Sequence, residues 1–252
     1  MVFSRIIYSA ILIGVISGAI LSALQIAGVD PIIFAAESYE VEAPAEAGHS
    51  HDHGHGGHSH GDDEWAPADG FERSAYTVLS NMLAGTGFAA VLLALMSFFW
   101  LARERDINWF QGALWGLAGY LALYVAPAIG LPPEIPGAIA APIEHRQAWW
   151  VLTAASVAVG LGLFAFAPVR FKAVAVLFFA VPYLVGAPHH EGPMFEHPDP
   201  AAVEALVDLH QQFVLTSGIT NLVFWLLLGL ACRLAYNRWL RNVVPTDDYA
   251  HA

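Results

Sequence analysis

Residues 74–102 read SAYTVLSNMLAGTGFAAVLLALMSFFWLA, an unbroken run without Asp, Glu, Lys, Arg or His. A helix rises about 1.5 Å per residue, and about 20 mainly apolar residues cross the hydrocarbon core of a bilayer. The run is long enough to span and too apolar for a water-facing surface. Outward from it, five more such runs lie at roughly 6–28, 109–131, 147–168, 173–188 and 211–232. The run at 173–188 is short and holds Pro182. It reads as a kinked span whose freed carbonyl a neighbouring helix satisfies, with a re-entrant segment as the alternative. The first run has one basic residue before it, Arg5, and is far longer than the apolar core of a signal peptide, about 7–15 residues. It reads as an uncleaved anchor; cleavage, the alternative, would fall near Ala27 or Ala35–Ala36. The expected fold is all-α: a polytopic membrane bundle of about six transmembrane helices. It forms one integral-membrane domain over 1–252, with an acidic, His-rich outer loop at 37–72.

Composition agrees. The chain is 57% hydrophobic and 13% charged, against about 25% charged in ordinary soluble domains. Ten Lys plus Arg without a basic patch exclude a nucleic-acid partner. The single cysteine, Cys232, excludes an intrachain disulfide and any CxxC metal site. It lies in an apolar run and reads as a packing residue.

The charges orient the bundle. With the N-terminus inside and six crossings, the inner segments hold Arg5, Arg103, Arg105, Arg170, Lys172, Arg233, Arg238 and Arg241. Only Arg73 and Arg146 fall outside, as the positive-inside rule requires. Both termini are then cytoplasmic, and the protein is a multi-pass bacterial inner-membrane protein with a periplasmic 37–72 loop. The same threading puts 18 of the 22 acids and eleven of the twelve histidines outside, although the rule uses neither residue type. A face so rich in carboxylate and imidazole concentrates cations.

Within the outer loop, residues 49–60 read HSHDHGHGGHSH. His49, His51, His53, His55, His58 and His60 alternate with Gly, Ser and Asp, a composition that buries too little apolar surface to offset ordering. It offers instead many neutral imidazoles on a flexible backbone, which suits Co, Ni, Zn or Cu and not Mg or Ca. Only neutral imidazole coordinates, and its unperturbed pKa is about 6.5, so capture depends on pH.

A second constellation sits at helix ends: Glu134, Glu144, His145, His189, His190, Glu191, His197, Asp208 and His210. Anchored groups can build a defined site, and His189, His190, Glu191 and His210 are the expected metal-binding members. Interface decoration is the alternative for each; Trp149 and Trp150 fit an aromatic belt. Inside the spans the polar residues are Gln25, Ser80, Asn81, Tyr120, Tyr124, Ser217, Thr220 and Asn221. No carboxylate lies there to serve as a proton relay. A neutral polar pathway begun by Asn81 and Asn221 is the functional reading, and ordinary interhelical hydrogen bonding the structural one. Gly14/Gly18 and Gly112/Gly116 have GxxxG spacing and read as close helix contacts.

No Walker loop occurs; the only lysine, Lys172, sits in VRFKAV. No HExxH, GxSxG or dinucleotide loop occurs either, so the expected protein is not an enzyme and has no tightly bound cofactor. The membrane potential alone favours inward movement of a divalent ion by roughly 4.6 kcal/mol per 100 mV.

Several segments carry a family resemblance: DPIIFAAESYE at 30–40, the His-rich loop after it, LPPEIPG at 131–137, RQAWW at 146–150, VPYLVGAPHH at 181–190 and TNLVFWLLLGL at 220–230. Over essentially its whole length the chain resembles the CbtA family of bacterial cobalt transporter subunits. The resemblance implies a polytopic protein that imports Co2+ for cobalamin synthesis beside a small one-helix, His-bearing CbtB subunit. That family is usually drawn with about five spans, against the six counted here. Uptake of a divalent transition metal, with cobalt first and Ni2+ or Zn2+ as rivals, is the functional expectation. A membrane metal buffer or sensor without transport is the alternative.

Overall fold

The computed structural model describes residues 2–40, 67–68, 70–100 and 106–241. The histidine tract at 49–60 lies outside these. Among the described residues the structure is helical and has no strands. The helices are α1 (Val2–Gly28), α2 (Asp30–Glu37), α3 (Phe71–Trp100), α4 (Trp109–Tyr120), α5 (Ala126–Gly130), α6 (Ile143–Phe166), α7 (Lys172–Val185) and α8 (Pro200–Ala235). A π-turn, Leu121–Val125, fuses α4 to α5, and a second, Tyr236–Leu240, extends α8.

Five helical units are long and apolar enough to cross a membrane: Val2–Gly28, Phe71–Phe99, Trp109–Gly130, Ile143–Phe166 and Pro200–Leu240. The sixth run forms α7, whose 14 residues rise about 21 Å, less than the ~30 Å hydrocarbon core. It nevertheless lies antiparallel along α6. Lys172 sits over the Phe164 ring, and at the other end Trp149 Nε1 donates to the Pro182 carbonyl at 3.0 Å. Gly186, at φ +84°, stops α7, because a positive φ is open to glycine at little cost.

Helices pair as α1 with α3, α4 with α8, and α6 with α7, and α8 also touches α1 and α3. Glycine sets the first two crossings. A Cβ on Gly14 would lie 2.2 Å from the Thr86 backbone, and one on Gly18 2.5 Å from Met82 Cα. A Cβ on Gly116 would lie 2.2 Å from the Trp225 carbonyl oxygen, and one on Gly112 2.8 Å from Arg233 Cβ. Both GxxxG pairs are therefore close backbone contacts, as their spacing predicts. Cys232 is fully buried among Leu93, Met96 and Leu228, the packing role expected of it.

The two ends of the bundle differ in charge. At one end Arg5 donates to the Trp239 carbonyl, Arg233 donates to the Ile107 carbonyl and stacks on Trp109, and Arg241 pairs with Asp106. Asn108 opens α4 with a reciprocal capping box to Gln111. The opposite end carries a small apolar cap of Ala36, Ile135, Phe195 and Leu206, drawn from α2, two loops and the first turns of α8. The loops are tied by the Ile139 N–H donating to the Met194 carbonyl at 2.8 Å.

Candidate functional site: a polar cavity at the acidic end

The acidic end holds the described members of the second constellation, but they do not converge. His189, His190 and Glu191 are exposed on the loop after α7, and His145 is exposed on the first turn of α6. His197 is occupied locally: its Nδ1 accepts from the Asp199 N–H at 3.0 Å. His210 is half-buried and packs its ring edge-on against Phe195, with centroids 6.2 Å apart. Its Nδ1 is buried and has no hydrogen-bond partner among the described residues. No three His, Cys, Asp or Glu side chains among the described residues are grouped to hold an ion. The expected grouping of His189, His190, Glu191 and His210 is thus not assembled. The physical reason is local: Phe195 covers His210 within the apolar cap, while the His189–Glu191 segment stays on the surface.

Among the described residues, the two arginines at this end are each paired with a carboxylate. Arg73 pairs with Glu37 at 2.6 Å and lies 5.2 Å from the Phe34 ring centroid. Arg146 pairs with Glu134. These pairings leave the cation-attracting character of the face intact, because neither guanidinium projects an unbalanced charge.

What the helices do bring together is a partly polar cavity of about 390 Å³, with polar side chains set into an apolar wall that includes Val29, Ile33, Phe34 and Phe213. It reaches from the ends of α1, α2 and α3 down to the middle of α8. Asp30, Arg73, Ser74 and Thr77 line the part nearest the helix ends. Gln25 comes from α1, Tyr124 from the π-turn, and Ser217, Thr220 and Asn221 from successive turns of α8. Thr220 stands ten residues beyond His210, so the cavity penetrates about 15 Å into the bundle from that level.

Each lining group has a local cause. Asp30-Pro31 opens α2 with proline in the first turn, where its missing N–H costs nothing. Burial raises the Asp30 carboxyl above the usual carboxylate range, and the Arg73 guanidinium pulls it back down. Asn221 donates to the Ser217 carbonyl at 3.0 Å, which leaves its side-chain oxygen available. The extra residue of the π-turn rotates Tyr124 out of plain α-helical register. There it stacks on Tyr120, with centroids 5.5 Å apart and planes 10° apart, while the Tyr120 hydroxyl donates to the Gly218 carbonyl at 3.1 Å. The Tyr124 and Ser217 hydroxyls are buried with no hydrogen-bond partner among the described residues.

Asn221 lines the cavity at its deep end, not at its mouth, whereas Asn81 does not line it. Asn81 donates to Ser22 Oγ at 3.0 Å and to Gln25 Oε1, bonding α3 to α1. Ser80 faces outward. Asp30 and Arg73 were not singled out by their sequence context, since α2 is too short to advertise itself by periodicity. A second cavity of about 570 Å³ lies beside the first, between α5 and α6. It is mostly apolar, and Tyr124 and Pro133 line both.

Comparison with known proteins adds one finding. Neither curated proteins nor solved structures yielded a match to the chain. A family profile described as "Probable cobalt transporter subunit (CbtA)" matches residues 3–237, which takes in every spanning helix, the cap and the cavity. The chain therefore belongs to the CbtA family.

Proposed function

We propose that this chain carries a divalent transition-metal cation, Co2+ first among them, from the periplasm toward the cytoplasm for cobalamin synthesis. The observation that carries the reading is the polar cavity lined by Asp30, Gln25, Tyr124, Ser217, Thr220 and Asn221. It opens a path into an apolar bundle, with the Asp30 carboxylate and Arg73 near its mouth and neutral oxygens below, and it lies at the acid-rich end of a member of a cobalt transporter family. The histidines at 49–60 serve as a collecting arm. His189, His190 and Glu191 pass ions along the outer face, and the cavity takes them inward. Neutral oxygens suit this last role because an ion in transit must be held loosely enough to leave. The basic end faces the cytoplasm and the acidic end the periplasm, with both termini inside. As a transporter subunit the chain works with a membrane partner, and a one-helix, His-bearing CbtB-type protein fits the part.

The test is Co2+ accumulation by cells that lack other cobalt importers. Expression of the chain with its partner should raise accumulation. Deleting 49–60 should lower it at scarce Co2+ and leave it near normal at saturating Co2+. Unchanged accumulation on expression of the intact chain contradicts the reading.

A further inference from the structure

A cation leaving the outer half of the cavity faces an electrostatic problem. An unpaired charge in a low-dielectric interior costs tens of kcal/mol by Born solvation. The ion must either keep its water or exchange it for fixed oxygens. The cavity, at about 390 Å³, has room for an ion with its first shell, since each water occupies about 30 Å³ in the liquid. Its deeper wall supplies the exchange partners.

Three facts converge there. The first is the π-turn at Leu121–Val125, an insertion that interrupts a spanning helix at Tyr124. Single-turn π segments inside α-helices are frequent at functional sites, because they cost hydrogen-bond geometry. The second is a pair of sealed hydroxyls, Tyr124 Oη and Ser217 Oγ, with no partner among the described residues. A buried polar group left unsatisfied costs about 1–3 kcal/mol, so two in neighbouring cavity-lining side chains call for a ligand. The third is Gly218. A Cβ built there would lie 3.7 Å from Tyr124 Oη and 3.8 Å from Tyr120 Oη, which places both phenols against the α8 backbone beside Ser217. Tyr120 is already committed to the Gly218 carbonyl and holds its stacked neighbour Tyr124 in place.

From this geometry we infer that Tyr124 and Ser217 form a dehydration site for a partly hydrated divalent cation, their two hydroxyl oxygens replacing water ligands at the deep end of the cavity. The inference rests on the uptake reading and sharpens it. The outer histidines and carboxylates gather metal, whereas this site sets how fast a gathered ion proceeds. Two neutral hydroxyls bind weakly and rank metals poorly, so discrimination among metals belongs upstream, at the imidazoles. The bond from Tyr120 and the π-turn are positioning devices for Tyr124.

The test is Co2+ influx into proteoliposomes of the full chain reconstituted with its membrane partner under an inside-negative potential. Tyr124→Phe removes one oxygen and nothing else. It should lower the maximal rate at least tenfold while leaving the half-saturating Co2+ concentration within twofold, because collection is untouched. Ser217→Cys replaces a hydroxyl by a thiol that binds soft cations. Influx through it should be blocked by Cd2+ at concentrations that leave the wild type unaffected, a gain that misfolding cannot mimic. Wild-type influx together with a full-rate Tyr124→Phe and a Cd2+-insensitive Ser217→Cys overturns the site while leaving the uptake reading standing. No influx through the wild type overturns both.

Discussion

Among the described residues, Asp30 carries the one carboxylate that lines the cavity. Burial raises its pKa, so the folded state holds its proton more tightly than the unfolded chain does. The sign follows from linkage: this group favours folding at pH below its raised pKa and disfavours it as pH climbs through that range. Its attraction for a cation runs the other way, being present when ionised and lost on acidification. Co2+ uptake should therefore fall as pH drops through the Asp30 titration, and Asp30→Asn should remove that component; initial uptake rates of wild type and variant across pH check this. In the proposed path, collection by the exposed pair His189 and His190 precedes the cavity. Changing both to Ala should raise the half-saturating Co2+ concentration several-fold with little loss of maximal rate. An unaltered saturation curve would remove them from the collecting surface.

At the scale of elements, the glycine crossings decide whether the bundle closes. Gly116 brings α4 against the Trp225 carbonyl, where backbone and not a flexible side chain would meet a new Cβ. Overpacking in a fitted core costs typically about 1–3 kcal/mol, occasionally more. Gly116→Leu should exceed that range and lower the thermal midpoint in detergent by many degrees. Gly87→Ala serves as the control. It meets nothing within 4 Å and should hold or raise the midpoint, since Ala is the better helix former by about 1 kcal/mol. These contacts were legible in the GxxxG spacing, because close packing of small residues leaves a fixed period. The π-turn was not. Pro127 follows it and removes one helix hydrogen bond, but a proline does not by itself mark a π-turn in the sequence. The run at 173–188 was legible as apolar and short; its helix spans 14 residues with Pro182 inside it and ends at Gly186.

On the whole-molecule scale, charge sorting is the feature that hydropathy and structure share. Threading the basic residues to one side also carried most acids and histidines to the other. The folded chain places Arg5, Arg233 and Arg241 together at one end and Asp30, Glu37, Glu134 and His210 at the other. Five of the six expected spans were readable because a bilayer imposes length and apolarity on each span; the sixth run forms a helix too short to cross by itself. The convergence of histidines was not readable, since loops set it. Here the apolar cap around Phe195 covers His210 while the neighbouring loop histidines stay at the surface. The cavity was half readable: Gln25, Tyr124, Ser217, Thr220 and Asn221 are visible as polar residues within apolar runs, but only packing separates them from Asn81, which bonds α3 to α1. If the basic end is cytoplasmic, a single cysteine placed at residue 189 should react with an impermeant thiol reagent in intact cells, and one at residue 170 should not. The reverse labelling would invert the proposed direction. The most direct measurement remains Co2+ influx into sealed proteoliposomes of the purified chain with its membrane partner, under an inside-negative potential. Transport requires saturable influx that grows with the potential and collapses when it is dissipated. Stoichiometric Co2+ binding without influx would contradict it and leave a membrane metal buffer in its place.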